Sequence, residues 1–277
     1  MVALTPPLVF FAGLLGLAVG SFLNVVAYRV PEGISLTRES RCPYCDAAIA
    51  ARHNVPVFGW LALRGRCAAC GAAISKRYPL VEGLTGISFA LITWFFLTAF
   101  GSEPWGRSPW ALGLLVIAYL YFAAISIVLT LIDLDTHRLP NAIVLPSYIV
   151  AGLLLALAAW LSGDWPSLLR ATIGMAALYA FYFLLRLVRP GGMGGGDVKL
   201  AGLIGLYLGW LGWGALAVGA FFAFLYGGVF GIALLIARRA GRRTAIPFGP
   251  WMILGAWTGI FAGETIGRAY ISVYTGS

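Results

Sequence analysis

The chain has 277 residues, of which 61% are apolar and only 10% are charged. Soluble domains carry about 25% charged residues. A mean hydropathy of +0.90 excludes a soluble globular enzyme, a disordered chain and a nucleic-acid-binding module. The net charge of +9 reads as an orientation signal, because cytoplasmic loops of membrane proteins collect Lys and Arg.

A membrane span needs about 20 apolar residues. The first candidate is 8–27. Tyr28-Arg29-Val30-Pro31 follows it instead of a small-residue cleavage site, so it reads as a retained helix and not a removable signal. A polar segment, 29–79, comes next. Further spans are predicted at 84–100, 110–131, 142–161 and 168–187, then as a pair within 198–237, and at 248–270. The 198–237 run is too long for one helix and fits two, broken near 209–214. The expected fold is an all-α polytopic membrane protein with about eight transmembrane helices and a small polar insert. No internal repeat or low-complexity tract stands out.

The loops set the orientation. Segment 29–79 holds eight Lys/Arg residues. Arg138 lies in a later loop, Arg186, Arg189 and Lys199 in another, and Arg238, Arg239, Arg242 and Arg243 in a third. With the N-terminus outside and eight spans, 16 of the 19 basic residues fall on one side. That side is predicted to be cytoplasmic. Seven spans would move the four-arginine loop outside.

All four cysteines lie in the insert, as Cys42-Pro43-Tyr44-Cys45 and Cys67-Ala68-Ala69-Cys70. Two CxxC turns suit a closed, structural Cys₄ zinc site. A core-poor segment of this size needs such a staple to fold. Zinc is favoured over two disulfides and over unliganded thiols. His53 is read as a surface residue.

Ten acidic residues are few enough to weigh singly. Glu32, Glu39 and Asp46 are in the insert. Glu82, Glu103, Asp164 and Glu264 lie near predicted span ends, where water is expected. Asp133 and Asp135 follow an apolar run, and Asp197 follows Gly191-Gly192-Met193-Gly194-Gly195-Gly196. Ionisable groups at membrane depth usually mark function. Two carboxylates held together share a proton, and one can deprotonate water while the other protonates the leaving group. Asp133 and Asp135 are about 200° apart on a helix, so one of them is a bystander. Position 133 is favoured by depth. The glycines are expected to unwind a helix and admit an extended substrate strand. A helix cap at Asp197 and an ion or proton pathway are the alternatives. Lys199 is expected to snorkel to the interface, with a lipid phosphate or a substrate carboxylate as the alternative partner. The arginine loop 238–247 is read as an orientation device, or a holder of anionic lipid.

Five blocks in order now carry a resemblance. They are Gly16-Leu17-Ala18-Val19-Gly20-Ser21-Phe22-Leu23-Asn24; the cysteine insert running to Arg77-Tyr78-Pro79-Leu80-Val81-Glu82; Ile132-Asp133-Leu134-Asp135 with Leu139-Pro140-Asn141; Gly194-Gly195-Gly196-Asp197-Val198-Lys199; and Pro247-Phe248-Gly249-Pro250. Along nearly its whole length the chain resembles the bacterial type IV prepilin peptidases, membrane aspartic proteases of the GxGD type that are also N-methyltransferases.

The resemblance implies catalytic aspartates at Asp133 and Asp197, with Asp135 less fixed. It places Gly194, Gly196 and Lys199 in the active-site loop. It implies prepilin and pseudopilin substrates, whose short basic leader is cut after Gly at the cytoplasmic face of the inner membrane. The new N-terminal residue is then methylated from S-adenosylmethionine by the N-terminal region. Relatives without the cysteine insert, the preflagellin-type peptidases, cleave but do not methylate, so the insert points to the bifunctional branch. The implied division is a first helix at 1–28, a zinc insert through Cys42, Cys45, Cys67 and Cys70 at 29–79, and a peptidase bundle at 80–277. No glycine-rich nucleotide loop marks the methyl donor's site. A peptidase without methyl transfer, a transporter with intramembrane carboxylates and a membrane scaffold are the competing readings. The transporter would need polar residues through several spans, and here the mid-span positions are nearly all apolar.

Overall fold

The computed structural model describes residues 4–100, 108–189, 193–237 and 247–275. Among these, the regular structure is helical apart from two isolated antiparallel bridges. Helix α1 spans Thr5–Arg29, α2 Phe58–Ala62, α3 Arg77–Ala99, α4 Pro109–Thr136, α5 Asn141–Ser162, α6 Trp165–Val188, α7 Gly195–Leu211, α8 Trp213–Ile236 and α9 Gly249–Thr275. The eight longer helices occupy the eight predicted positions. The paired run breaks at Gly212, inside the predicted window. Six of them, all but α7 and α9, are long and apolar enough to cross a membrane. At 17 residues, α7 is about 25 Å long, and α9 carries Glu264 and Arg268.

Several boundaries differ from expectation. Helix α4 runs on to Thr136, so Asp133 and Asp135 lie within it and not after it. Helix α3 begins at Arg77 and carries Glu82 inward, where it is 7% exposed. The expectation of water around Glu82 is therefore wrong. Glu103, Arg107, Gly191, Gly192 and the arginines of 238–243 lie outside the described residues.

The chain forms two compact units, one of Met1–Glu103 with Tyr119–Val128, the other of Pro104–Ala118 with Leu129–Ser277. In the first unit α1 packs on α3. The approach is close because Gly16 and Gly20 face it. A Cβ at Gly16 would lie 2.7 Å from the Thr85 carbonyl, and one at Gly20 2.7 Å from Glu82 Cα. Small residues in this register let membrane helices meet backbone to backbone. Asn24 ties the pair by donating to the Tyr78 carbonyl at 3.3 Å.

The second unit is built around α7, which packs on α5, α6, α8 and α9. Residues 200–210 of α7 are all buried. Apolar all round, the helix can only be a core element. Its exposed backbone end is satisfied by Arg170, which donates to the Gly209 and Trp210 carbonyls at 2.8 and 2.7 Å. The next helix, α8, begins with the Ala215 N–H donating to Glu264 at 3.2 Å. A cation at one helix end and an anion at the next offset the orphan backbone groups.

Candidate functional site

Asp197 is the third residue of α7, and its Oδ2 accepts the Gly194 N–H at 3.0 Å. The cap reading is thus met in a variant form, with Asp197 reaching back to the cap residue from inside the first turn. Of the glycine run, Gly194 is extended, while Gly195 and Gly196 are already helical. The unwinding expected of the whole run therefore does not reach Gly195 and Gly196.

Asp133 lies in the last turn of α4 and is 4% exposed. Its Oδ2 accepts the N–H of Gly249, the first residue of α9, at 3.0 Å. Both aspartates therefore accept an N–H from a glycine at a helix N-terminus, where the backbone dipole favours an anion. Leu139 links the two turns. A Cβ at Gly196 would lie 2.8 Å from Leu139 Cβ, and one at Gly249 3.5 Å from Leu139 Cδ2. Leu139 reaches this place because His137 ends α4 in the left-handed conformation, φ 55°, and turns the chain towards α5. Asp135 is exposed, as expected for a residue two positions from a buried one.

Gly249 was the residue the sequence reading missed as a site member, although its Pro-Phe-Gly-Pro block was singled out. Its neighbour Phe248 sits in a ring cluster with Tyr182 and Phe224, at centroid distances of 6.3 and 5.5 Å. That cluster fixes the start of α9 and so aims the Gly249 N–H. Lys199 does not simply snorkel. Its Nζ donates to Asn141 Oδ1 at 2.8 Å, which ties the start of α7 to the start of α5.

In the first unit the four cysteine Sγ atoms lie within 4.8 Å of one another. Cys42 and Cys70 are 3.9 Å apart, and no disulfide forms. Four thiolates about 2.3 Å from a zinc ion stand about 3.8 Å from each other, so the cluster fits the metal. N–H groups of Cys70 and then Ala69 point at Cys67 and lower its thiol to about 6. Cys45 takes the Ala47 N–H, which lowers it, yet the surrounding thiols, Cys70 foremost, hold it up at about 12. A divalent cation relieves that crowding.

The two cysteine turns are copies, which corrects the expectation of no repeat. Arg-Cys-x-x-Cys-x-Ala-Ala-Ile occurs at 41–49 and again at 66–74. In each, the cysteine N–H bonds the carbonyl five residues on, Ala47 or Ala72, at 3.0 and 2.8 Å. Each closes with an antiparallel bridge, Arg41–Ala48 or Arg66–Ala73. Each turns on a left-handed residue, Asp46 or Gly71. The chain between the copies folds back through α2, where Trp60 donates to the Ile74 carbonyl at 3.1 Å. Gly59 is closed by the His53 carbonyl and Gly65 by the Trp60 ring.

Fold and site together define a polytopic helical membrane protein with two glycine-tethered aspartates and a four-cysteine knuckle. Residues 14–96 match the family model described as bacterial peptidase A24 N-terminal domain, and residues 120–236 match the type IV leader peptidase family. Among curated proteins, the chain is similar to a prepilin leader peptidase/N-methyltransferase of Stutzerimonas stutzeri, 36% identical over 96% of this chain and 95% of the relative. It is also similar to those of Neisseria gonorrhoeae, 37% identical over 96% and 94%, and Pseudomonas aeruginosa, 33% identical over 93% and 91%. No solved structure matches. The chain belongs to the type IV leader peptidase family.

Proposed function

We propose that the protein cleaves the short basic leader of type IV prepilins and type II secretion pseudopilins, then N-methylates the new N-terminal residue with S-adenosylmethionine as donor. The observation that carries the cleavage reading is that Asp133 and Asp197 are each tethered by a glycine N–H at a helix start, with Leu139 packed near Gly196 and Gly249 of those two turns. The ionised aspartate takes a proton from water as the oxygen attacks the scissile carbonyl. The protonated one donates to the departing amine as the C–N bond breaks. The glycine tethers keep both carboxylates aimed without spending either one's second oxygen. Gly194 at the cap of α7, and Gly196 and Lys199 in its first turns, flank Asp197 in the active site. Asp135 stands outside the reaction.

Zinc, held by Cys42, Cys45, Cys67 and Cys70, folds the insert and keeps no position open to substrate. The reading divides the chain into a first helix at 1–28, a methyl-transfer-associated zinc insert at 29–79 and a peptidase bundle at 80–277. The protein resides in the bacterial inner membrane, among lipid, with the aspartates opening to the cytoplasm, as the basic-residue asymmetry supports. The test is incubation of purified protein with a prepilin, scored by mobility shift for cleavage and by labelled methyl incorporation for transfer. Wild type should give both and Asp197→Ala should not cleave. Failure of wild type to shift the prepilin contradicts the peptidase reading. A shift without methyl incorporation leaves a peptidase only.

A further inference from the structure

Glu82 has no task in either reaction as described. It is 7% exposed on α3, and Gly20 of α1 packs against its Cα. Its Oε2 accepts the Val57 N–H at 2.7 Å. Among the described residues no basic side chain lies within ion-pair distance of it. The buried cation of the same unit, Arg29, is committed elsewhere, to the carbonyls of Ser35, Leu36, Arg38 and Glu39. A carboxylate has about four acceptor positions, and here one is filled from the protein.

The partner it does hold is unusual. Val57 is β-branched yet has φ 62° and ψ −52°, and the Phe58 N–H bonds the Pro56 carbonyl across it. This is the rare, strained form of the three-residue turn, and for a β-branched residue a positive φ is an outlier. Such strain persists only where the surroundings hold it, and it clusters at binding sites. The surroundings here are the carboxylate on one side and α2, pinned through Trp60 to the second cysteine turn, on the other. A neutral acceptor would serve as a latch at lower cost, because a buried anion without a counter-charge is unfavourable.

We propose that Glu82 is the receptor for the α-ammonium of the chain that cleavage releases. The inference rests on the methyl-transfer reading above and locates the amine's binding site within it. An ammonium brings one positive charge and three donors to an anion short of both, and capture of a chain's N-terminal amine is a recurring recognition mode. The zinc knuckle then acts at a distance, by holding α2 and Val57 so that the carboxylate's other oxygen faces the substrate.

The experiment uses full-length, zinc-loaded protein in detergent, without methyl donor. Two peptides of the mature pilin N-terminus are compared, one with a free amine and one N-acetylated. Wild type should bind the free amine roughly tenfold to a hundredfold more tightly, the range of a charge-assisted hydrogen bond. Glu82→Gln keeps an oxygen for the Val57 N–H and should lose that preference. No preference in wild type, or a preference kept by Glu82→Gln, overturns the proposal. The wild-type comparison decides the matter even if the variant does not fold. Methyl incorporation separates the two readings. A wild type that never methylates refutes the methyl-transfer function, whereas equal methylation by wild type and Glu82→Gln refutes the amine receptor alone.

Discussion

Replacing Gly249 by Ala should disable cleavage while leaving the fold intact. A Cβ there would lie 2.7 Å from Asp133 Oδ2 and 3.3 Å from its Cγ, inside van der Waals contact, so the carboxylate must retreat. The retreat breaks the 3.0 Å bond from the Gly249 N–H. A hydrogen bond to a charged group contributes about 1.5–3 kcal/mol, which converts to roughly 10- to 150-fold in rate if it is lost from the transition state. Alanine is a better helix former than glycine, and position 249 begins α9, so global stability should change little. The assay is initial-rate cleavage of one prepilin, with the thermal midpoint measured alongside. Gly228→Ala is the control, since a Cβ there meets nothing within 4 Å, and it should cleave normally. The reasoning fails if Gly249→Ala cleaves within about twofold of wild type, or if its loss merely follows unfolding.

Metal analysis should give about one zinc per chain, and its removal should impair methylation at least as severely as cleavage; a Cys42–Cys45 disulfide in freshly isolated protein would contradict this. The repeat makes Gly71 the counterpart of Asp46, so Gly71→Asp should keep zinc by stoichiometry. Gly65→Asp should lose it, because φ is 68° there and the Trp60 ring fills the space. A reporter fused after Arg243 should read as cytoplasmic and one fused within 101–109 as external, and the reverse pattern would refute the orientation.

The apolar runs made the helices legible, because each long segment must bury or embed its whole surface. Gly212 was legible as a break, and the cysteines as a cluster, since the signal for each is local. The tether of Asp133 was not. It joins residues 116 apart in sequence, and a backbone donor leaves no mark on residue type. Only the glycine, required by the close approach, betrays it. Glu82 looked like an interfacial residue because α3 starts earlier than its apolar run, at Arg77. The helix extension past Leu131 had the same cause. Helical hydrogen bonding continues through Asp133 and Asp135 although hydropathy falls there. The knuckle repeat was hidden because it is only nine residues long and its two copies differ at three of those positions, while its backbone pattern becomes visible only in the paired bridges.

The pairing of the two aspartates is tested most directly by cleavage rates of Asp133→Ala, Asp197→Ala, Asp135→Ala and the Asp133→Ala/Asp197→Ala double variant at matched expression. Each single loss at 133 or 197 should cost roughly 10²–10⁴-fold or more. The double variant should be little slower than either, because residues acting as a unit are strongly non-additive. Asp135→Ala should keep substantial cleavage. An Asp133→Ala variant that still cleaves while Asp135→Ala is as inactive as Asp197→Ala would contradict the account and move the pair by two residues.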